Sequence, residues 1–437
     1  MEIKYRHSKF TNVIEKNQDY IFFNANSLGL FEVSQDDYDI FQTYTEPKEL
    51  SNDETSLSFV QAGFLIPESF NEYEVAKKER FLRRKISKES SLNRIGYMRI
   101  SLTELCNLQC KYCFVNDIYR TKGNMDKDSF VSTIHWFIEQ NKSSYLRIQY
   151  FGGEPLLRMD LIKMGHIMLE KAKNDGIISG YEEEIVTNGT LMNEKKSKYF
   201  IDNHFRIIFS IDGWEEINDK NRVYSNGMGS YNAIIKGLDA YQKVGGKIAA
   251  ILTPSKDNIH LFPKIIRYLV EDLHFQEIHV NTPQPTQDGW DVKGKDFALS
   301  IIEAWEYCDS LRIPFIQPGN NIAFLVSNKL PQSNSCMDLT FGQAENTYGV
   351  YVTSNNMISS CVVECNEKCT KKIDDFELDK EYIDWHFNDN SSLHCQKCIG
   401  YNICGGPCSI ESVLRPGKLD SEKCRFFKTL IPWILQR

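Results

Sequence analysis

No uninterrupted apolar stretch of about 18 residues occurs in this 437-residue chain, which argues against a transmembrane helix. A basic excess is also missing. The 51 Lys and Arg residues face 59 Asp and Glu, a net charge of −8, so there is no chain-wide footprint for nucleic acid. The opening MEIKYRHSKF is charged and lacks an apolar core, so it does not read as a secretory signal. Internal repeats and low-complexity tracts are absent. These absences lead to the expectation of a soluble, cytoplasmic chain with neither a membrane nor a nucleic-acid partner. A hydrophobic fraction of 41% and a charged fraction of 25% suit an ordinary globular protein. At about 150 residues per domain the length suggests roughly three domains.

Cysteine is plentiful but unevenly placed. In a reducing compartment the 13 cysteines point to metal or catalysis rather than to disulfides. Cys106, Cys110 and Cys113 form one group, Cys308 stands alone, and nine more run from Cys336 to Cys424. A scatter of core cysteines would not cluster in this way, whereas Cys308 alone reads as an ordinary core residue.

Three segments separate by pattern. In residues 1–90, DYIFFNA (19–25) and LFEV (30–33) read as short strands around Asn26, Ser27 and Gly29. Ser34 and Asp37 open a helix through Phe41, Gly63 stops a second one, and FNEYEVAKKERFLRRKI reads as an exposed exit helix. The polar run Lys85–Asn93 is expected to be a linker. From Tyr97 onward six β-branched runs alternate with helical stretches: 97–102, 147–151, 183–187, 206–211, 247–252 and 277–280. Such alternation implies a parallel sheet wrapped by helices. Six units fall short of the eight in a closed barrel, so the expected fold is an α/β partial (β/α)6 barrel. Beyond about residue 330 the pattern gives way to cysteine-rich turns, and the acidic stretch 372–390 reads as solvated surface.

Cys106-x3-Cys110-x2-Cys113 directly follows the first predicted strand. Three thiolates hold three corners of a cubane whose full ligation needs four. A zinc site would be closed by a fourth Cys or His. The next candidate, His135, lies in a helical pattern, as do His166 and His204. An iron lacking a protein ligand is free to chelate the amino and carboxylate groups of S-adenosylmethionine, the source of a 5′-deoxyadenosyl radical. The spacing, with Tyr112 before the last cysteine, resembles the radical S-adenosylmethionine superfamily. Gly152-Gly153-Glu154-Pro155, after the second strand, is similar to that family's GGEP loop, which implies contact with the methionine amino group. Asn188 in Thr187-Asn188-Gly189 ends the third strand, and Ser210 and Asp212 in Ser210-Ile211-Asp212-Gly213 end the fourth. The resemblance implies cofactor contacts for Ser210 and Arg222. Asp212 is as well suited to bracing its strand as to touching a ligand. Asn281-Thr282-Pro283 ends the sixth strand, so every motif lies at a carboxyl end, where such folds place chemistry.

The spacing Cys395-x2-Cys398-x5-Cys404-x3-Cys408, with Cys424 trailing, resembles the SPASM domain. That resemblance implies two auxiliary 4Fe–4S clusters. One is expected on Cys395, Cys398, Cys404 and Cys424. Cys408 crosses to the other, for which Cys336 and Cys361 match best and Cys365, Cys369 or an open iron completes the set. Here the chain departs from the family pattern, because Asn356 replaces the usual glycine five residues before Cys361. A zinc ribbon is the plainer alternative for the C-x2-C pair.

The expected domains are a winged-helix-like α+β segment (1–90), the barrel (91–310) and a SPASM domain (311–437). The first is similar to recognition elements of ribosomal-peptide (RiPP) maturases, which bind a precursor's leader as an added strand, with IFFNA as the expected edge. Together these features imply an oxidoreductase that abstracts a hydrogen from a precursor peptide and installs a thioether or C–C crosslink. An electron donor such as flavodoxin or ferredoxin is implied as partner. Two alternatives stand beside this reading. An anaerobic sulfatase maturase would make formylglycine, but Val362 stands where that group has a catalytic aspartate after the cysteine matching Cys361. An iron–sulfur electron carrier or zinc-stapled binding protein would not need the GGEP, SIDG and Arg222 set. No general acid or base is named by the sequence.

Overall fold

The computed structural model describes residues 3–91, 95–113, 123–283, 288–331, 348–359, 361, 371–375 and 393–437. Cys336, Cys365, Cys369 and most of the acidic stretch lie outside these residues.

The N-terminal segment contains β1 (Lys4–His7), β2 (Thr11–Lys16), β3 (Asp19–Asn24), β4 (Leu30–Val33) and α1 (Gln35–Gln42). It continues through β5 (Lys48–Glu49), α2 (Glu54–Gln61), β6 (Leu65–Pro67) and α3 (Glu72–Ser91). Ser34 caps α1 by accepting from the Asp37 amide, and Gly63 takes a positive φ of 76° just past α2. The strands form two antiparallel sheets, β5-β1-β6 and β2-β3-β4. Phe22, Phe41, Tyr44, Phe59 and Phe64 give this segment a core of its own.

Two expectations change here. The linker expected over Lys85–Asn93 is instead the last part of α3, which runs to Ser91 because nothing in KISKESS breaks a helix. IFFNA is not an edge: β3 pairs with β2 on one side and β4 on the other. Its consecutive Ile21, Phe22 and Phe23 are all buried, the signature of a strand covered on both faces.

The barrel runs through β7 (Ile95–Thr103), α4 (Lys127–Glu139), β8 (Tyr145–Gly152), α5 (Met159–Asn174) and β9 (Gly180–Thr187). Next come α6 (Glu194–Asp202), β10 (Arg206–Ser210), α7 (Glu215–Asn221), α8 (Tyr231–Gln242) and β11 (Ala249–Leu252). It closes with α9 (Phe262–Glu271), β12 (Glu277–Val280), α10 (Gly294–Ser310), β13 (Phe315–Ile316) and α11 (Gly319–Ser327). All six expected strands are present, and each pairs in parallel with the next. The fold is therefore an α/β partial barrel, open rather than closed.

The sheet reaches further than six strands. β13 adds to one side, and β14 (Tyr348–Val352), β15 (Met357–Ser359) and β16 (Lys371–Lys372) extend the other, with β14 parallel to β7. The cysteine-rich part is thus hydrogen-bonded into the barrel sheet. It ends in α12 (Ser409–Leu414) and α13 (Ser421–Leu435), the latter packed on α10 through Phe297 and Phe426. Cys308 is buried in α10. His166 of α5 is hydrogen-bonded at 2.6 Å to the buried Glu183 of β9, and His204 sits in a turn after α6 rather than in a helix. Among the described residues no helix is long and apolar enough to cross a membrane.

Candidate active site at the carboxyl ends of the strands

The loop after β7 carries Cys106, Cys110 and Cys113, and neighbouring loops hold its backbone. The Gly153 amide donates to the Thr103 carbonyl at 2.7 Å, and the Glu154 amide to that of Leu105 at 2.9 Å. The Gln109 and Lys111 amides donate to Val223 and Asn221 at 2.7 and 3.0 Å, which fixes the loop to the segment bearing Arg222. Asn188 donates to Asn107 at 2.9 Å and faces the Cys106 sulfur at 3.6 Å, while Asn107 donates to Thr190 at 2.7 Å. The structure therefore brings the GGEP loop, the TNG loop and the Arg222 segment onto one three-thiol loop.

Glycine is required where these loops meet. Gly152 adopts φ of +115°, and a Cβ on Gly153 would run into the Leu105 carbonyl. Replacing Gly153 with alanine is expected to displace the thiol loop. Iron retained after reconstitution should fall, with cofactor cleavage lowered about 10- to 100-fold, the range for disturbed outer support of a metal site. Wild-type iron content and 5′-deoxyadenosine formation would contradict this.

Glu154 is fully buried and both carboxylate oxygens are engaged. It accepts from the Leu156 amide at 3.0 Å, the Thr187 hydroxyl at 2.7 Å and the Asn188 amide at 2.8 Å. Burial pushes its carboxyl above the usual carboxylate range. In this arrangement the side chain ties the GGEP loop to the TNG loop and leaves close approach to the backbone.

Below the thiol loop lies a buried charged triad. Asp212, with no solvent exposure, accepts from the Tyr112 hydroxyl and pairs with Arg222 at 3.1 and 3.2 Å. Arg222 also lies over the Tyr112 ring, 5.5 Å from its centroid. Burial raises the Tyr112 hydroxyl well above its usual range. Burial also raises the Cys110 thiol, and the Arg222 charge opposes that rise. Ser210 ends β10, half-buried and two residues before Asp212. Sequence reading did not single out Glu104, Asn107 or Thr253. Glu104 accepts from Ser354 of the segment after β14 at 2.7 Å, and the Thr253 amide faces Asp212 at 3.4 Å.

A polar belt crosses the sheet face opposite the helices. Tyr150 points toward Gly165 of α5, so its neighbour Gln149 faces the barrel interior. Arg99, Gln149, Glu184 and Arg206 are in lateral register on β7 to β10. Arg99 donates to Gln149 at 2.5 Å, Gln149 to Glu184, and Arg206 bridges Glu184 and Glu277. His279 completes the belt, 2.6 Å from Glu277. No one-dimensional motif marks this belt; only strand register assembles it.

In the C-terminal part, Cys395, Cys398, Cys404 and Cys424 line one cavity of about 70 Å³ with Lys423 and Arg80. Cys408 is not among its lining residues; its sulfur caps α12 by accepting from the Glu411 amide at 3.4 Å. Lys423 is buried against Glu411 at 2.9 Å. Burial pushes the Cys404 thiol up to about 12, with Lys423 opposing it. Four thiols around one cavity fit a cubane. No group of three His, Cys, Asp or Glu side chains among the described residues could hold a metal ion, which does not favour a zinc ribbon there. Cys361 follows β15, half-buried. Asn356 adopts φ of +61° in the turn before it, the conformation that a glycine would otherwise supply.

Residues 100–274 match the family model described as the Radical SAM superfamily. The chain is 26% identical over 328 residues to the radical SAM cyclopropyl synthase TigE of Paramaledivibacter caminithermalis, covering 69% of this chain and 68% of that protein. It is 24% identical over 353 residues to a cysteine-type anaerobic sulfatase-maturating enzyme of Clostridium novyi, covering 74% and 91%. Its fold is similar to anSMEcpe with bound AdoMet and Cp18Cys peptide (TM-score 0.64, 17% identity, 78% and 98% covered). It is also similar to Streptococcus suis SuiB bound to precursor peptide SuiA (TM-score 0.55, 16% identity, 96% and 99% covered).

Proposed function

This chain is a radical S-adenosylmethionine enzyme, and on that premise we propose that it matures a ribosomally made peptide by oxidative crosslinking. The observation that carries the reading is the three-thiol loop bound to the GGEP, TNG and Arg222 segments at the carboxyl edge of the sheet. Bound there, a 4Fe–4S cluster with S-adenosylmethionine supplies a radical that abstracts hydrogen. Cys106, Cys110 and Cys113 hold that cluster, and the backbone around Gly152 and Gly153 receives the cofactor's methionine part. Tyr112, Asn188, Ser210 and the Asp212–Arg222 pair line the same pocket. The polar belt from Arg99 to His279 orients the peptide across the barrel interior.

The C-terminal cysteines hold auxiliary clusters, Cys395, Cys398, Cys404 and Cys424 one of them, and Cys408 with Cys361 and upstream cysteines a second. Such clusters take up the electron that a substrate radical loses on becoming a closed-shell product. Residues 1–90 act as the leader-recognition domain, before a barrel over 91–310 and a SPASM domain over 311–437. With β3 central, the free edge of β4 is the better docking strand: Leu30 and Phe31 are exposed there.

Likeness to proteins named for cyclopropyl synthesis, sulfatase maturation and precursor-peptide binding supports peptide modification generally. The test is anaerobic. Reconstituted, reduced enzyme is mixed with S-adenosylmethionine and a candidate precursor, following 5′-deoxyadenosine and peptide mass together. Loss of two hydrogens, located by fragmentation between two side chains, is the expected result. Formylglycine at a single Cys or Ser would support sulfatase-type maturation instead. No cofactor cleavage by a fully iron-loaded protein would overturn the reading.

A further inference from the structure

The cavity lined by the four C-terminal cysteines has a neighbour at the surface. A groove of about 460 Å³ runs between β2 and the 397–399 segment, lined by Thr11, Asn12, Val13, Ile14, Lys397, Cys398, Ile399, Lys428 and Pro432. Cys398 and Lys428 line both spaces. One thiol of the candidate cluster site therefore forms part of the wall of a solvent-facing groove.

The charge at this place is opposite to that of the whole chain. Net charge is −8, yet no carboxylate lines the groove, and its two charged residues, Lys397 and Lys428, are both exposed. The Lys428 charge is felt at two of the thiols, lowering both Cys398 and Cys424 against the rise that burial imposes. β2 pairs only with β3 among the described residues, so its outer edge is the groove's other wall. The N-terminal segment and the cysteine loop form these walls as one packed unit. Asn402 donates to the Asn26 carbonyl at 2.7 Å, Arg84 donates to the Gly405 carbonyl at 2.7 Å, and Phe10 packs on Tyr401.

We propose that this groove is the docking site of an acidic one-electron carrier protein, which takes an electron through the Cys398 side of the auxiliary cluster. The proposal rests on the reading that Cys395, Cys398, Cys404 and Cys424 hold that cluster. The step balances simply: the reduced cluster loses one electron, the oxidised carrier gains it, and no bond forms or breaks. A small basic patch beside a cluster ligand suits such a partner. Electron-transfer encounters use small, weak interfaces, and opposite charges speed them in a salt-dependent way. It also separates electron exit from entry, because the three-thiol loop lies at the far carboxyl edge of the barrel.

The test uses the full chain in a Cys106→Ala/Cys110→Ala/Cys113→Ala background, so that electrons come from auxiliary clusters alone. The reduced protein is mixed with oxidised flavodoxin in a stopped-flow instrument, and semiquinone formation is followed at several salt concentrations. The expected rate constant falls steeply with salt. In Lys397→Glu/Lys428→Glu it falls about tenfold or more and loses most of its salt dependence, with iron content and cluster spectra unchanged. Lys397→Gln/Lys428→Gln should give an intermediate rate, a check should the double reversal disturb folding. Equal rates in all variants, or no reaction of the parent, would overturn the proposal. Slower peptide modification with unchanged flavodoxin reduction would also overturn it, in favour of a peptide strand in the groove. Removal of Cys398 and Cys424 with no loss of iron would overturn the cluster reading itself.

Discussion

Replacing Cys106, Cys110 and Cys113 together with alanine is expected to reduce 5′-deoxyadenosine formation to background. Iron content should drop by about four atoms per chain, the complement of one cubane. The reason lies in the donor set. The loop offers three thiols, and its backbone is already committed to Thr103, Leu105, Asn221 and Val223, so no other side chain is positioned to replace them. Iron attributable to the C-terminal cysteines should persist, because those thiols line a separate cavity. Cys308→Ala provides the contrast. That thiol is buried in α10 among apolar neighbours, so its loss should cost about 1 kcal/mol and leave iron and cofactor cleavage unchanged. Iron content and deoxyadenosine, measured on the same anaerobic preparations, check both expectations. Cleavage retained in the triple variant would sink the assignment of this loop.

The second large effect is expected at Arg222. Replacing it with methionine leaves Asp212 fully buried and without its cation. Breaking a buried pair on one side costs about 3–5 kcal/mol, because the remaining charge is neither hydrated nor compensated. Urea unfolding of the apoprotein measures that cost. Arg222→Met/Asp212→Leu removes both charges, and stability should return to near the wild-type value. Cofactor cleavage should not return with it, since Tyr112 loses its acceptor and the pocket its cation. This divergence separates a structural salt bridge from one that also shapes the cofactor pocket. If the double variant recovered cleavage along with stability, Arg222 and Asp212 would be struts only.

The barrel was legible in the sequence because each of its strands presents a β-branched run before a loop with unusual residues. Hydrophobic period and glycine placement are local properties, and so is cysteine spacing. The expected strand IFFNA was found, but its place as an edge was not. Neighbours decide that, and here β2 and β4 occupy both sides. The exit helix was cut short because a polar run was read as a linker, although helix α3 needs only one buried face. Its buried face is set by Arg80 and Arg84 reaching the cysteine loop more than 300 residues away.

By itself, the sequence determined the thiol set of the cofactor loop, the parallel α/β architecture and the clustering of C-terminal cysteines, since each depends on spacing along the chain. Tertiary structure alone decided which loops clamp that thiol set and which charges meet across the barrel interior. It also decided that Cys398 borders both a closed cavity and an open groove. Those outcomes depend on strand register and on packing between distant segments, where residues such as Asn26 and Asn402 become hydrogen-bond partners. No local pattern encodes such a meeting, because each partner alone is an ordinary polar turn residue until the fold buries it.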